Sequence, residues 1–131
     1  DKGIMKDFQI SFNKEYGVIE SRIHSSFNSS LLNNMAPELA KMTKETNAKA
    51  LLLDFSKSKI SFSTLEIYKI PEKLYRIFLD HNLDLRLMKR AILISKRNED
   101  FTFLETVSKN SGQNFRLFYD EKEAMKWLTS I

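Results

Sequence analysis

No cysteine occurs anywhere in this chain of 131 residues. That excludes a disulfide, a thiolate metal site and a cysteine nucleophile, and it fits a reducing compartment. Histidine appears twice, as His24 and His81, so imidazole chemistry has two widely separated candidates. Glycine appears three times and proline twice. Three scattered glycines cannot build a phosphate-cradling loop, and punctuation must come from polar clusters instead. No apolar run is longer than Ala50-Leu51-Leu52-Leu53, which is stopped by Asp54. A membrane span needs ~20 apolar residues, so none is expected. No basic segment followed by an apolar one opens the chain, so no signal peptide is expected.

What is there suits a folded domain. Hydrophobic residues make up 42% and charged residues 29%, which argues against disorder. The length fits one domain on the usual scale of ~100–200 residues, expected to span 1–131. Residues 1–4 read either as a tag or disordered start or as the remainder of a longer parent, and Met5 is a candidate natural first residue. The formal charge of +4 permits an acidic partner. Basic and acidic residues interleave, however, and no basic face with aromatics between is visible, which argues against nucleic acid.

Hydrophobic periodicity gives the elements. Phe8 to Phe12 alternates apolar and polar, as a half-buried strand does. A turn at Asn13-Lys14-Glu15-Tyr16-Gly17 leads to a second, antiparallel strand over Val18–Ile23. Ser29 and Ser30 are candidate caps for a helix whose inner face is Leu32, Met35, Ala36 and Leu39. Pro37 should kink or divide it. Lys49 to Phe55 reads as a strand buried on both faces. A helix from Ser63 to about His81 would turn Ile67, Ile70, Leu74, Ile77 and Phe78 inward, with Pro71 in the first turn of its main segment. Arg90 to Ser95 is another buried strand. Asp100 to Asn110 is a helix with Phe101, Leu104 and Val107 inward and Gly112 as its stop. Phe115 to Tyr119 is the last strand. Asp120 and Glu123 form a capping box for the final helix, whose inner face is Ala124, Trp127, Leu128 and Ile131. The expected fold is α/β: a single-layer mixed five-stranded β-sheet with four α-helices, ordered β-β-α-β-α-β-α-β-α, its parallel neighbours joined by right-handed crossovers.

Catalytic chemistry finds little footing. His24 ends the second strand and His81 ends a helix, where a positive side chain suits the dipole; surface and capping roles account for both. No His or carboxylate cluster has metal-ligand spacing, so neither metal nor cofactor is expected. Asp54 is the best acid–base candidate, because open α/β sheets place ligands beyond the carboxyl ends of strands. Ser56, Lys57, Ser95, Lys96 and Asp120 should lie on the same rim. Polar residues end buried strands in any case, and Asp forms turns readily, so a structural role outweighs a catalytic one. The late aromatics Phe101, Phe103, Phe115, Phe118, Tyr119 and Trp127 have the spacing of a core. Phe62, Tyr68 and Tyr75 are less clearly inward and offer a contact surface.

Three segments together resemble the SpoIIAA-like superfamily, which includes the STAS domains of anti-sigma-factor antagonists. Tyr16 to Ile23 resembles the second strand of that fold. Leu51-Leu52-Leu53-Asp54-Phe55-Ser56 resembles its central strand with a Leu-Asp-Leu-Ser ending. Phe118 to Leu128 resembles the closing segment of a bacterial branch, where a Phe-Asp strand end precedes a Glu-Ala-x-x-Trp-Leu helix. Phosphorylatable members carry Asp-Ser-Ser-Gly at the start of the following helix. Here the stretch is Ser61-Phe62-Ser63-Thr64, which puts Phe62 at the phosphoserine position and leaves Ser63 matching the second serine.

The resemblance implies a cytoplasmic regulatory or protein-interaction domain of bacterial type, not an enzyme, with a protein as partner. The loop from Asp54 through Ser56, Lys57, Lys59, Ser61, Phe62 and Ser63 is its expected partner-binding or regulatory edge. Exposed apolar residues beside charges are what such an edge offers, although Ile60 and Phe62 could equally fold under the second helix. The alternative is a small-molecule or lipid-binding domain, since the related CRAL-TRIO arrangement holds apolar ligands; a deep apolar cavity distinguishes it. An enzyme using Asp54, Lys57 and Lys96 around a pocket is the third option.

Overall fold

The computed structural model describes residues 7–130; the expectations for residues 1–4 and for Ile131 fall outside that range. Five strands form one sheet in the order of the chain: β1 (Phe8–Asn13), β2 (Val18–Ile23), β3 (Ala50–Asp54), β4 (Lys89–Leu93) and β5 (Phe115–Phe118). The first pair is antiparallel and every later pair parallel. Helices α1 (Ser29–Thr46), α2 (Thr64–Leu79), α3 (Glu99–Asn110) and α4 (Glu121–Thr129) follow β2, β3, β4 and β5. This is the expected α/β order, with one 3₁₀ turn, Leu85–Leu87, added before β4.

Strand order and handedness together decide where the helices go. A sheet that grows in one direction through right-handed crossovers puts every crossover helix on the same face. Accordingly α1, α2 and α3 share one face, over a core that includes Ile19, Ile23, Leu51, Leu53, Ile92 and Phe115. Helix α4 connects to no later strand and covers the opposite face, where Ala124 and Leu128 meet Val18, Ala50, Leu52, Ala91 and Leu93. On β3 the period of two sends alternate residues into the two cores.

Helix boundaries show which local signals prevailed. Asn28, not Ser29 or Ser30, caps α1: its side chain accepts from the Leu31 N–H at 2.9 Å. Pro37 does not divide that helix, which runs 18 residues. Asn33, whose carbonyl loses its partner at Pro37, is exposed like Pro37 itself, so water can serve that carbonyl, while Met35, Ala36, Leu39 and Ala40 are buried on either side. Pro71 is also interior, well beyond the first turn of α2, because Ser63 caps the helix and Thr64 starts it. There Ser63 and Glu66 form a reciprocal capping box, with bonds of 2.9 and 3.2 Å. On α4 the expected box is half made: Asp120 accepts from Lys122 N–H, and no bond returns from Glu123 among the described residues.

Trp127 is half-buried rather than core. It lies 5.6 Å from the Phe118 ring, and the Lys89 ammonium sits 5.3 Å from its centre. Lys89 also donates to the carbonyls of Trp127 and Ser130 at 3.0 and 2.8 Å, closing the end of α4 with a positive charge. Charged stems therefore cover the ring in place of a second apolar layer. Among the other late aromatics Phe101 and Phe115 are buried, Phe103 and Phe118 half-buried, and Tyr119 exposed. Full burial of Phe101 predicts that Phe101→Ala costs about 3–5 kcal/mol in urea denaturation. Trp127→Ala should cost about half as much; equal losses would contradict the partial exposure of the indole.

Candidate functional site

The carboxyl ends of β2, β3 and β4 open onto one rim, and Asp54 is the last residue of β3. Its Oδ1 accepts from the Ser56 backbone N–H at 2.9 Å, and its Oδ2 accepts from Arg22 at 2.7 Å. Arg22 also reaches Glu20 and Glu121, each at 2.9 Å. One guanidinium thus gathers three carboxylates from β2, β3 and α4. Burial disfavours the ionised Asp54, but the hydrogen bonds from Ser56 and the nearby Arg22 charge outweigh it and hold this carboxyl below its ordinary value. Bonding to Glu121 most strongly, and also to Asp54, raises Arg22 above its usual range despite partial burial.

That geometry makes Asp54 a structural ion-pair member. Lys57 and Lys96, its partners in the enzymatic reading, are exposed and form no ion pair with it among the described residues. His24 is half-buried at the end of β2, and His81 places Nδ1 at 3.1 Å from the Ile77 carbonyl, where it closes the end of α2. No three His, Asp or Glu side chains among the described residues are grouped to hold a metal ion.

The loop after Asp54 is strapped down. Phe27 N–H donates to the Lys59 carbonyl at 2.7 Å, and Ser61 N–H donates to the Phe27 carbonyl at 2.8 Å, so Ile60 pairs with Phe27 as a one-residue parallel bridge. The Ser58 hydroxyl donates to the Ser25 carbonyl. Phe62 packs edge-on to Phe27 at 5.0 Å, and Phe27 in turn meets Phe55 at 4.6 Å. Ile60 and Phe62 are therefore half-buried anchors under the start of α2, while Lys57, Lys59, Ser61 and Ser63 are exposed and Ser56 is half-buried. Ser95, Lys96 and Asp120 stand exposed on the same rim.

Glu66 ties two helix starts together. It accepts from Ser63 N–H and from the Ser29 hydroxyl at 2.9 Å each. The Ser63 bond is the stronger cause of the lowering of its carboxyl below the ordinary value. On the outer face of α2, Leu65 and Tyr68 are 64% and 65% exposed, with Lys69 and Glu72 continuing the stripe. Tyr68 was expected as contact surface. Leu65 was not, although it falls outside the Ile67, Ile70, Leu74 face and so had to point away. Arg22 and Glu20 were also missed; two opposite charges two apart on a strand share a face, and that was their visible signal. No deep apolar cavity accompanies the site among the described residues. Beneath α1, α2 and α3 lies an enclosed cavity of about 20 Å³, far below the roughly 300–1,000 Å³ of small-molecule sites.

A carboxyl held below its ordinary value of 3.8 stabilises the fold above that value, and the contribution disappears as pH falls through the folded value. Asp54→Asn should therefore be less stable than the parent at pH 7 by about 1–2 kcal/mol, the scale of a charge-assisted hydrogen bond partly open to water. Urea titrations should show a constant gap down to about pH 5 that closes toward pH 3. A gap that persists unchanged at pH 3 would show that the carboxylate charge is not what matters.

No family model matches this sequence, and no curated protein matches it. A solved structure does match, described as the structure of the anti-sigma factor antagonist SpoIIAA in its unphosphorylated form. It superposes with a TM-score of 0.55 over 95% of this chain and 99% of that one, at 9% sequence identity. Identity that low speaks for the fold alone. The superposition spans nearly the whole of both chains: the chain has a SpoIIAA/STAS-like fold.

Proposed function

We propose that this domain is a non-enzymatic regulatory module of bacterial, cytoplasmic type that works by binding another protein. The observation that carries the reading is the exposed stripe Leu65, Tyr68, Lys69 on α2, set beside the exposed Lys57 and Lys59 of the anchored loop. Apolar and aromatic side chains ringed by charge are the anchors of protein interfaces. The two loop lysines favour a partner that presents acidic groups around an apolar centre. The loop beneath is held by its bridge to Phe27, so this surface is rigid before a partner arrives and costs little to order on binding.

Further support comes from what the rim carboxylates are doing. Asp54 is engaged by Arg22 and Ser56, which leaves it a poor general base. No helix among the described residues is long and apolar enough to cross a membrane. The apolar cavity under the three helices is small, and the wider hollows at the surface are open and partly polar, which disfavours the lipid-binding alternative. Regulation by phosphorylation at Ser63 is disfavoured by the capping box, since a phosphate there would face the Glu66 carboxylate that already accepts from Ser63 N–H.

The test uses a partner isolated with the native chain and purified. Tyr68→Ala and Lys57→Glu should each weaken binding about tenfold or more while melting temperature stays unchanged, as expected of exposed anchors and steering charges. Phe62→Ala should lower stability through the lost packing on Phe27. Ser63→Asp should bind as the parent does. Parent-like affinity in both Tyr68→Ala and Lys57→Glu would remove this face from consideration as the interface.

A further inference from the structure

The two edges of the sheet are finished differently. β5 is four residues long, and Leu117 N–H on its outer side donates to Glu105 of α3 at 2.7 Å. A side chain thus takes the ladder position that a further strand would use. β1, at the other edge, is six residues long, Phe-Gln-Ile-Ser-Phe-Asn, and carries neither charge nor proline. It pairs with β2 at six successive positions without a bulge. Charge, proline, bulges and short length are the usual devices that keep an edge strand from pairing, and β1 has none of them.

The ladder fixes which backbone groups face out. Asp7 accepts from His24 N–H at 2.7 Å, so these two form a hydrogen-bonded pair. Such pairs alternate along an antiparallel ladder. Gln9, Ser11 and Asn13 therefore turn their backbone groups to β2, while Phe8, Ile10 and Phe12 turn theirs outward. The side chains of Phe8, Ile10 and Phe12 are half-buried against the larger core. Beside them runs an open groove of about 780 Å³, walled on the α1 side by Glu38, Lys41, Met42 and Glu45. Met42 is half-buried and the three charged residues are exposed.

A second copy fits this edge about a twofold axis at Ile10. Antiparallel pairing sets Ile10 opposite Ile10 of the other copy and Phe8 opposite Phe12. The outward N–H and C=O groups of all three residues then find partners, and the Phe8–Phe12 pairs add aromatic cross-strand contacts. Helix α1 packs on both β1 and β2, so the same axis lays the two α1 helices antiparallel along the seam. Lys41 comes within reach of Glu38 and Glu45 of the other copy, and Met42 fills the groove between them. An extended segment of another protein would satisfy the backbone groups too, but the second copy also supplies the matching charges.

We propose that β1 is the seam of a symmetric homodimer, in which two five-stranded sheets join edge to edge into one continuous sheet. The contact is isologous and closes on itself, which protects an edge that the monomer leaves open. It goes beyond the partner-binding reading above and uses none of the residues of the α2 stripe.

Sedimentation velocity on the native chain should show a concentration-dependent species of twice the monomer mass. The register is tested at Gln9 and Ser11, both exposed. Gln9 of one copy faces Ser11 of the other as a non-hydrogen-bonded pair, with Cα atoms about 4.5 Å apart, close enough for a disulfide. The chain has no cysteine of its own, so Gln9→Cys copies mixed with Ser11→Cys copies should crosslink on mild oxidation faster than either variant alone. Gln9→Lys combined with Ser11→Lys should weaken association roughly a hundredfold or more through facing like charges, with the monomer's melting temperature unchanged. Gln9→Glu with Ser11→Glu should do the same, and mixing the two double variants should restore the dimer. A native chain that stays monomeric to its solubility limit overturns the proposal and leaves the edge to an extended segment of another protein. A dimer that survives the paired lysines, or mixed cysteine copies that crosslink no faster than either alone, overturns it as well.

Discussion

Leu51 and Leu53 point into the larger core while Ala50 and Leu52 point into the smaller one, so β3 has to be covered on both faces before it is stable. Much of the architecture follows from that demand. A strand buried on both sides needs parallel neighbours fed by crossover helices. Right-handed crossovers in a sheet that grows one way send α1, α2 and α3 to a single face. The other face is then bare over β3 and β4, and the chain must supply one more helix after the last strand. Ala124 at the centre of α4 lets that helix lie close on Ala50 and Ala91. Without α4, Val18, Leu52 and Leu93 would form an exposed apolar patch.

The same strand explains the rim. A doubly buried run must end in a residue that returns the backbone to water, and Asp54 does so by accepting the Ser56 N–H as a turn former. Leaving its second oxygen half-buried requires a cation, and Arg22 on the adjacent strand is in register to provide it. Glu121 on the first turn of α4 shares that cation and sits where a helix start favours negative charge. Arg22 therefore joins the hairpin, the central strand and the final helix. The carboxylate that looks most chemical in the sequence is committed to holding the two layers together.

Five strands, four helices and their order were legible in the sequence, because periods of two and of 3.6 are set by which side chains meet the core. What escaped was whatever depends on a partner distant in the chain. Pro37 is tolerated because Asn33 and Pro37 share the exposed face of α1, and Pro71 is interior because Ser63 finds Glu66; neither outcome follows from proline alone. Trp127 alternates inward correctly, yet its cover is Lys89 and Arg116 from β4 and β5. The loop residues lie beyond the end of β3, as their position after a buried strand implies. Whether Ile60 and Phe62 faced out or under depended on the bridge to Phe27, more than thirty positions earlier, and local pattern carries no trace of it.

Arg90 is the opposite case, since its signal was local. It stands two positions before Ile92 on one strand, and the alternation that buries Ile92 buries position 90 as well. Charge at the start of a strand ordinarily belongs to the solvated end, which is where Lys89 does go, over the end of α4. Arg90 cannot follow, because its face is closed by α2 and α3 and by the Gln113 bond to Pro71. Such an arrangement is rarely selected for stability, since an apolar residue of the same volume is usually at least as stable in a core.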